Sequence, residues 1–325
     1  MSEVVTLGEC LASFVATSSG PLADAVAFER FVAGAEANVA AGLARLGHSV
    51  TYIGRVGVDR FGTAIVRKLR GEGVDVRHLA IDPDAQTGVM FRERRSLGPI
   101  DVVYHRASSA GSRLSADDID AAAAAGAFEE ARWLHLTGIT PALSPEARMA
   151  TTRARELARA AGLTVSLDVN LRRRLWSDES ARPVVRELAS GVDVVFGSPD
   201  ELAVLADADP AADPAELSAA VHALGPSVVV AKLGADGALG FEAGGTVVRV
   251  AALPVATIID PVGAGDAFCA GFIAGRLDGV DLETALRMGN ACGAMAVAAA
   301  GDQAGLPDRA ELGRVLAAGG ADALR

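Results

Sequence analysis

The chain has 325 residues, half of them hydrophobic, 22% charged and only 4% aromatic. That is enough apolar mass for a large core of small and aliphatic side chains, and it excludes wholesale disorder. With 30 basic residues against 41 acidic ones the formal net charge is −11, which excludes a broad basic footprint for nucleic acid or an anionic membrane.

The N-terminal segment is acidic rather than basic, unlike a signal peptide, and runs directly into a β-branched strand at Val4–Gly8. Cys10–Ala33 follows with polar alternation, a turn signal at Ser18–Pro21 and no helical period. Glu36–Leu46 reads as an amphipathic helix, Ser49–Gly54 as a strand and Arg60–Gly71 as a helix. Thr87–Arg106 again alternates, with a turn signal at Leu97–Pro99. Helices are then predicted at Ser115–Glu130, Pro145–Ala161 and Asp178–Gly191, and strands at Trp133–Thr137, Leu163–Asp168, Val192–Phe196 and Val228–Leu233. Beyond Asp260 the pattern is helical: Gly265–Leu277, Leu282–Ala300 and Arg309–Ala318.

This alternation predicts an α/β fold, a mostly parallel central sheet flanked by helices. The two segments that break the rhythm, about residues 10–33 and 87–107, predict a small β-sheet lid on a single unit spanning residues 1–325. One lid face would meet ligand and the other a second subunit, giving a homo-oligomer. The longest uncharged runs, such as Leu217–Ala231, fall short of the roughly 18 apolar residues of a spanning helix. A soluble, cytoplasmic protein that binds neither membrane nor nucleic acid is expected.

Several chemistries are closed off by inspection. Only Lys68 and Lys232 are lysines, and neither follows a glycine, so the G-x-x-x-x-G-K-[ST] phosphate loop is absent. Cys10, Cys269 and Cys292 lie far apart in apolar stretches and read as buried free thiols. The five histidines (His48, His78, His105, His135, His222) never fall three or four apart, so no zinc motif can be drawn. No glycine fingerprint follows Val4–Gly8, which removes a nicotinamide dehydrogenase.

The densest signal is Ile259–Gly275, a strand end, a glycine-rich turn and a helix start. Backbone N–H groups at such a start make an anion hole, helped by the helix dipole. Asp266 stands within it. A carboxylate there would repel phosphate unless it accepts a proton from an incoming hydroxyl, although an ordinary helix cap accounts for it equally well on spacing alone. Phe31–Gly47 is the second signal: Gly34 permits close approach of a ligand, and Glu36 and Asn38 place polar atoms at a helix start.

Asp260–Gly275, together with Gly34–Gly47, Gly54–Gly57 and Asp59–Gly62 in order along the chain, resembles the PfkB, or ribokinase-like, carbohydrate kinases. Tyr104–Ser112, Leu134–Ser144 and Ser166–Arg172 look most like the 2-keto-3-deoxygluconate kinases within that family. The resemblance implies a ribokinase-like fold and phosphorylation of a sugar's terminal hydroxyl by ATP. It makes Asp266 the base and the amides of Gly263, Ala264 and Gly265 the anion hole. It implies substrate contacts at Gly34, Ala35, Glu36, Ala37, Asn38, Met90, Tyr104, Arg106, Arg172 and Asp302. Nucleotide contacts would come from Asn170, Ser198, Lys232, Gly234, Gly237 and Asn290. Glu201 would organise Mg2+, and a monovalent cation such as K+ would lie near Asp260 and Val262.

Arginine's planar fork suits the carboxylate of a sugar acid, which gives Arg106 and Arg172 a purpose; Arg173 and Arg174 read as a solvated charge run. Three positions depart from the family pattern: Met90 stands for a common tyrosine, Ser198 for asparagine and Ala33 for the first of two glycines. The alternatives are a kinase for fructose, ribose or a related keto-deoxy sugar acid, and a non-catalytic sugar or nucleotide sensor on the same fold.

Overall fold

A computed structural model describes residues 2–94 and 100–317. The Leu97–Pro99 turn signal and Ala318 lie outside the described residues. The first half contains β1 (Val4–Gly8), β2 (Leu11–Ser19), β3 (Phe28–Ala33), α1 (Ala35–Arg45), β4 (Val50–Gly57), α2 (Arg60–Gly71), β5 (Leu79–Asp82), β6 (Val89–Arg94), β7 (Val102–His105) and α3 (Ala116–Ala124). Then come β8 (Trp133–Thr137), α4 (Pro145–Ala160), β9 (Thr164–Asp168), α5 (Asp178–Ala189), β10 (Val194–Gly197), α6 (Pro199–Ala206), α7 (Pro214–His222) and β11 (Val228–Lys232). The chain continues through β12 (Ala238–Glu242), β13 (Thr246–Val250), α8 (Ala264–Leu277), α9 (Leu282–Val297) and α10 (Arg309–Ala317).

Nine strands form the main sheet in the order β13-β12-β11-β10-β9-β8-β1-β4-β5. From β5 to β11 every pairing is parallel, and only β12 and β13 join antiparallel. Strand alternation divides the core in two. Val228 and Val230 face the cluster beneath α1, α8 and α9, whereas Val229 and Ala231 face that beneath α3 to α7. Both faces are covered, so the central parallel strands are largely apolar, β10 and β11 most plainly.

The expected second sheet is present, with four strands in the order β3-β2-β6-β7. A parallel pair, β2 with β6, lies at its centre, and β3 and β7 join antiparallel. Leu11, Ala33, Met90, Val102 and Tyr104 cluster on one face. Opposite them Phe91 packs on Phe14, Phe28 and His105, ring centroids 5.2 to 5.9 Å apart.

Five elements went unread in the sequence. The segments at α6 and α7 were too short to show a helical period, while β5, β12 and β13 have polar or glycine-interrupted patterns. The expected helix Ser115–Glu130 stops at Ala124, where Gly126 (φ +84°) turns the chain back toward β8.

Candidate active site

All the parallel strands end on one side of the sheet, where α/β proteins hold ligands. Glu9 follows β1, Asn170 and Arg172 follow β9, Ser198 and Glu201 follow β10, and Lys232 ends β11. A cavity of about 430 Å³ is lined by these residues together with Met90, Tyr104 and Arg106 from the small sheet and Gly263, Gly265 and Asp266 from the start of α8.

Asp266 lies in the first turn of α8 and is buried. Asn38 Nδ2 donates to its Oδ2 at 2.8 Å, and Asn170 Nδ2 donates to its Oδ1 at 3.2 Å. Asn38 is held in turn by Gln303, whose Nε2 donates to Asn38 Oδ1 at 3.1 Å. Asn170 takes a left-handed backbone (φ +39°), tolerable for asparagine, that turns its amide inward just after β9. Burial pushes the Asp266 carboxyl up; the Asn38 hydrogen bond opposes this, Asp168 adds to it, and the charges of Arg172 and Lys232 oppose it. A carboxylate with raised affinity for a proton is suited to accepting one.

Gly263 caps α8 at φ +86°, and a Cβ there would come within 2.8 Å of the Asp302 carbonyl oxygen. Only glycine fits. The first-turn amides beyond it lack intrahelical acceptors, so they offer donors and a positive dipole end to an anion. Beside them, Lys232 Nζ donates to both Asp168 oxygens at 2.6 and 2.7 Å. Burial works most strongly against the ammonium, but Asp168, Cys269 and Glu201 together outweigh it and hold the lysine well above its ordinary range.

A second cavity of about 490 Å³ adjoins the first, sharing Lys232, Pro261 and Gly265. Its walls are largely apolar, with Leu253, Ile258, Phe268 and Val297, and it carries Gly234, Gly237, Ala264 and Asn290. Asn290 Nδ2 donates to the carbonyls of Val250 and Ala251 at 3.2 and 3.1 Å. The turn from Pro261 to Asp266 therefore stands between a polar chamber and an apolar one.

Of the expected substrate residues, Gly34, Ala35, Glu36, Asn38, Met90, Tyr104, Arg106, Arg172 and Asp302 line the polar cavity. Ala37 does not: it is fully buried in the core beneath α1, because successive helix positions point in different directions. Glu36 accepts from Thr137 Oγ1 at 2.6 Å and Thr140 Oγ1 at 2.5 Å, while burial pushes its carboxyl up. Ser198 and Glu201 cap α6 reciprocally; the Glu201 oxygens accept N–H groups of Leu171 and Ser198, both at 2.8 Å. Arg106 is ion-paired to buried Glu9 at 2.5 Å. Arg172 is exposed and has no ion pair among the described residues, whereas Arg173 pairs with Asp178 and Arg174 with Asp101.

Glu9, Arg92, Asp168 and Gln303 were not picked out from the sequence. An acid directly after a predicted buried strand was a usable signal for Glu9, and one at a strand's carboxyl end for Asp168. Nothing local marks Arg92 or Gln303.

The model of the pfkB family of carbohydrate kinases matches residues 1–309. The chain belongs to this family. It is 40% identical over 322 residues to a 2-dehydro-3-deoxygluconokinase of Thermoproteus tenax, covering 98% of this chain and 95% of that one. An E. coli protein described as a ribokinase II, solved in complex with ATP and Mg2+, superposes with a TM-score of 0.89 at 28% identity, over 98% of this chain and all of that chain. A Vibrio cholerae fructokinase double mutant, bound to fructose, ADP and potassium, superposes at 0.83 with 30% identity, over 96% and 97% of the two chains. This pfkB member is a sugar kinase with a ribokinase-like fold. No helix among the described residues is long and apolar enough to cross a membrane.

Proposed function

We propose that this kinase transfers the γ-phosphoryl group of ATP to the terminal hydroxyl of 2-keto-3-deoxygluconate, with Asp266 as base. The observation that carries this reading is the place of Asp266: buried, proton-attracting, and set at the free N–H end of α8 where the polar and apolar chambers meet. The apolar chamber suits a nucleobase and the polar one a hydroxylated acid. As the hydroxyl oxygen bonds to the γ-phosphorus, its proton passes to Asp266 and the bond to the β-phosphate oxygen breaks, releasing ADP. The amides of Gly263, Ala264 and Gly265 meet the charge on the transferring group. They are fixed before the reaction, so no reorganisation is needed at the moment of transfer.

No group of three or more metal-ligating side chains converges among the described residues. That fits Mg2+, which keeps several waters and leans on substrate phosphates plus one or two carboxylates. Glu201, which lines the polar chamber, is the acid placed to approach it, and the ion would neutralise phosphate charge. Asn38, Tyr104 and Asp302 offer polar contacts to the sugar, and Arg172 offers an unpaired fork to its carboxylate. The similarity to a 2-dehydro-3-deoxygluconokinase supports the same substrate. The small sheet serves as the lid, excluding water so that ATP is not hydrolysed.

The test is ADP release with 2-keto-3-deoxygluconate, fructose and ribose, for the wild type and Asp266→Asn. Preference for the keto-acid, and loss of about 100-fold or more in kcat for the variant, is expected. Turnover of fructose but not of the acid would overturn the substrate, and undiminished turnover by Asp266→Asn would overturn the base.

A further inference from the structure

Arg92 differs from every other cation in the cleft. It sits on β6, two positions past Met90 and on the same face, and at 1% exposure it is the bulkiest of the fully buried side chains. Its Nη1 donates to Asp260 Oδ1 at 2.9 Å and its Nη2 to Asp260 Oδ2 at 2.7 Å. Nη2 also reaches Asp302 Oδ1 at 3.3 Å. One guanidinium thus ties the small sheet to the turn before α8 and to the loop before α10.

The family resemblance directs attention to a monovalent cation near Asp260, and the Vibrio cholerae fructokinase was solved with potassium bound. The residues here do not fit one. A carboxylate offers about four lone-pair positions, and those of Asp260 are taken. Oδ1 accepts from Arg92 and from the Val262 amide at 3.1 Å; Oδ2 accepts from Arg92 and from the Gly301 amide at 3.1 Å. A diffusible ion would have to displace a buried, bidentate guanidinium, which matches a carboxylate in charge and in planar geometry.

We propose that Arg92 is the built-in cation of this kinase, a positioning residue that holds the Asp260–Gly263 turn and thereby the α8 amides and Asp266, so that turnover needs no added monovalent ion. This rests on the phosphate-site reading above. The physical route is short. Asp260 stands three residues before Gly263, and its carboxylate braces the Val262 amide within the same turn. A displaced turn would misdirect the amides that meet the transferring phosphoryl. Because Arg92 belongs to the small sheet, the turn is also tied to the position of the lid, a coupling a free ion could not provide.

ADP release is to be measured with tetramethylammonium as the only monovalent cation, and again with potassium added. Wild-type kcat should change by less than about twofold, an effect under 1 kcal/mol on the barrier. Arg92→Ala should lose roughly 100-fold in kcat, the scale expected of a misplaced catalytic group, with smaller changes in both KM values. Added guanidinium or potassium should restore at least about tenfold of that loss. Arg92→Lys, which keeps the charge, should retain more kcat than Arg92→Ala. Away from turnover, potassium should raise the melting temperature of Arg92→Ala and leave that of the wild type unmoved.

Strong potassium activation of the wild type would overturn the proposal. So would full activity of Arg92→Ala, or equal losses in both variants that neither ion relieves. If Arg92→Ala fails to fold, the wild-type cation response and Arg92→Lys decide it. Retained turnover in Asp266→Asn would overturn the phosphate-site reading instead, and leaves the wild-type cation response to be read separately.

Discussion

Arg172→Ala isolates the cleft arginine that has no ion pair among the described residues. Two charges 4 Å apart attract by about 1 kcal/mol in water and about 4 kcal/mol at an effective dielectric of 20. Arg172 is exposed at the cleft, and on the proposed reading a bound sugar acid would cover it in part, so its worth falls between these limits. Hydrogen bonds to charged groups give a similar range, about 1.5–3 kcal/mol. KM for the sugar acid should therefore rise about 10- to 100-fold. KM for ATP should hold, and kcat should change little near neutral pH, because this is binding made equally in ground and transition states. Arg172 also helps hold the Asp266 carboxyl down, so the acid limb of the rate profile should move to higher pH in the variant. The assay is initial-rate kinetics with each substrate varied in turn, at low and high salt. Salt should raise the wild-type KM for the acid and leave that of the variant nearly unchanged. Equal rises in both KM values, or the same loss against a neutral sugar, would refute the reasoning.

Gly34→Ala should destabilise by roughly 1–3 kcal/mol, measured by chemical denaturation, because φ is +140° there and a Cβ would lie 2.4 Å from the Glu9 carbonyl oxygen. Asp302 has its carboxyl pushed up to about 6 by burial, so the folded state holds a proton that the unfolded chain has released. Stability from this group is present at low pH and is lost as pH rises from about 4 to about 6, by up to about 3 kcal/mol; the melting-temperature difference between wild type and Asp302→Asn should track that window. Glu9→Gln removes the charge that pairs Arg106. It should lower KM for the sugar acid, by about twofold to tenfold, while leaving KM for a neutral sugar unchanged; a higher KM for the acid would show that Glu9 is needed to aim Arg106.

What could be read from the sequence was what depends on near neighbours. The parallel strands announced themselves because both faces are covered, so Val228–Ala231 is apolar without a break. The Asp260–Gly275 turn was legible because a helix entered through a positive-φ residue needs glycine there, and Gly263 stands at φ +86° just before α8. The helix at Pro199 was also legible and was passed over: Ser198 three residues before Glu201 is a capping box with proline in the first turn. So was the hairpin of β12 and β13, which turns at Gly244 and Gly245. Arg92 was a different case. Its partner Asp260 lies 168 residues away, and an arginine on an alternating strand gives no local sign of pointing inward. The same holds for Arg106, whose pairing to Glu9 crosses 97 residues.

Those distant pairings change what the net charge means for phosphate handling. Among the described residues seven acids line or brace the cleft, Glu9, Glu36, Asp168, Glu201, Asp260, Asp266 and Asp302, against four cations, Arg92, Arg106, Arg172 and Lys232. Three of the four cations are committed to carboxylates within the protein. Burial raises the carboxyls of Glu36, Asp266 and Asp302, but that does not create a positive field. A polyphosphate cannot be drawn in here by lysines and arginines, as it would be in a basic groove. On the proposed reading it must arrive with much of its charge already neutralised by a divalent ion, and the protein then adds backbone amides fixed in place. On the same reading Arg172, the cleft arginine with no ion pair among the described residues, is left for the carboxylate of the other substrate. On the proposed reading, that division of labour would let an acidic protein, whose Lys232 is already committed to Asp168, carry out phosphoryl transfer to a second anion.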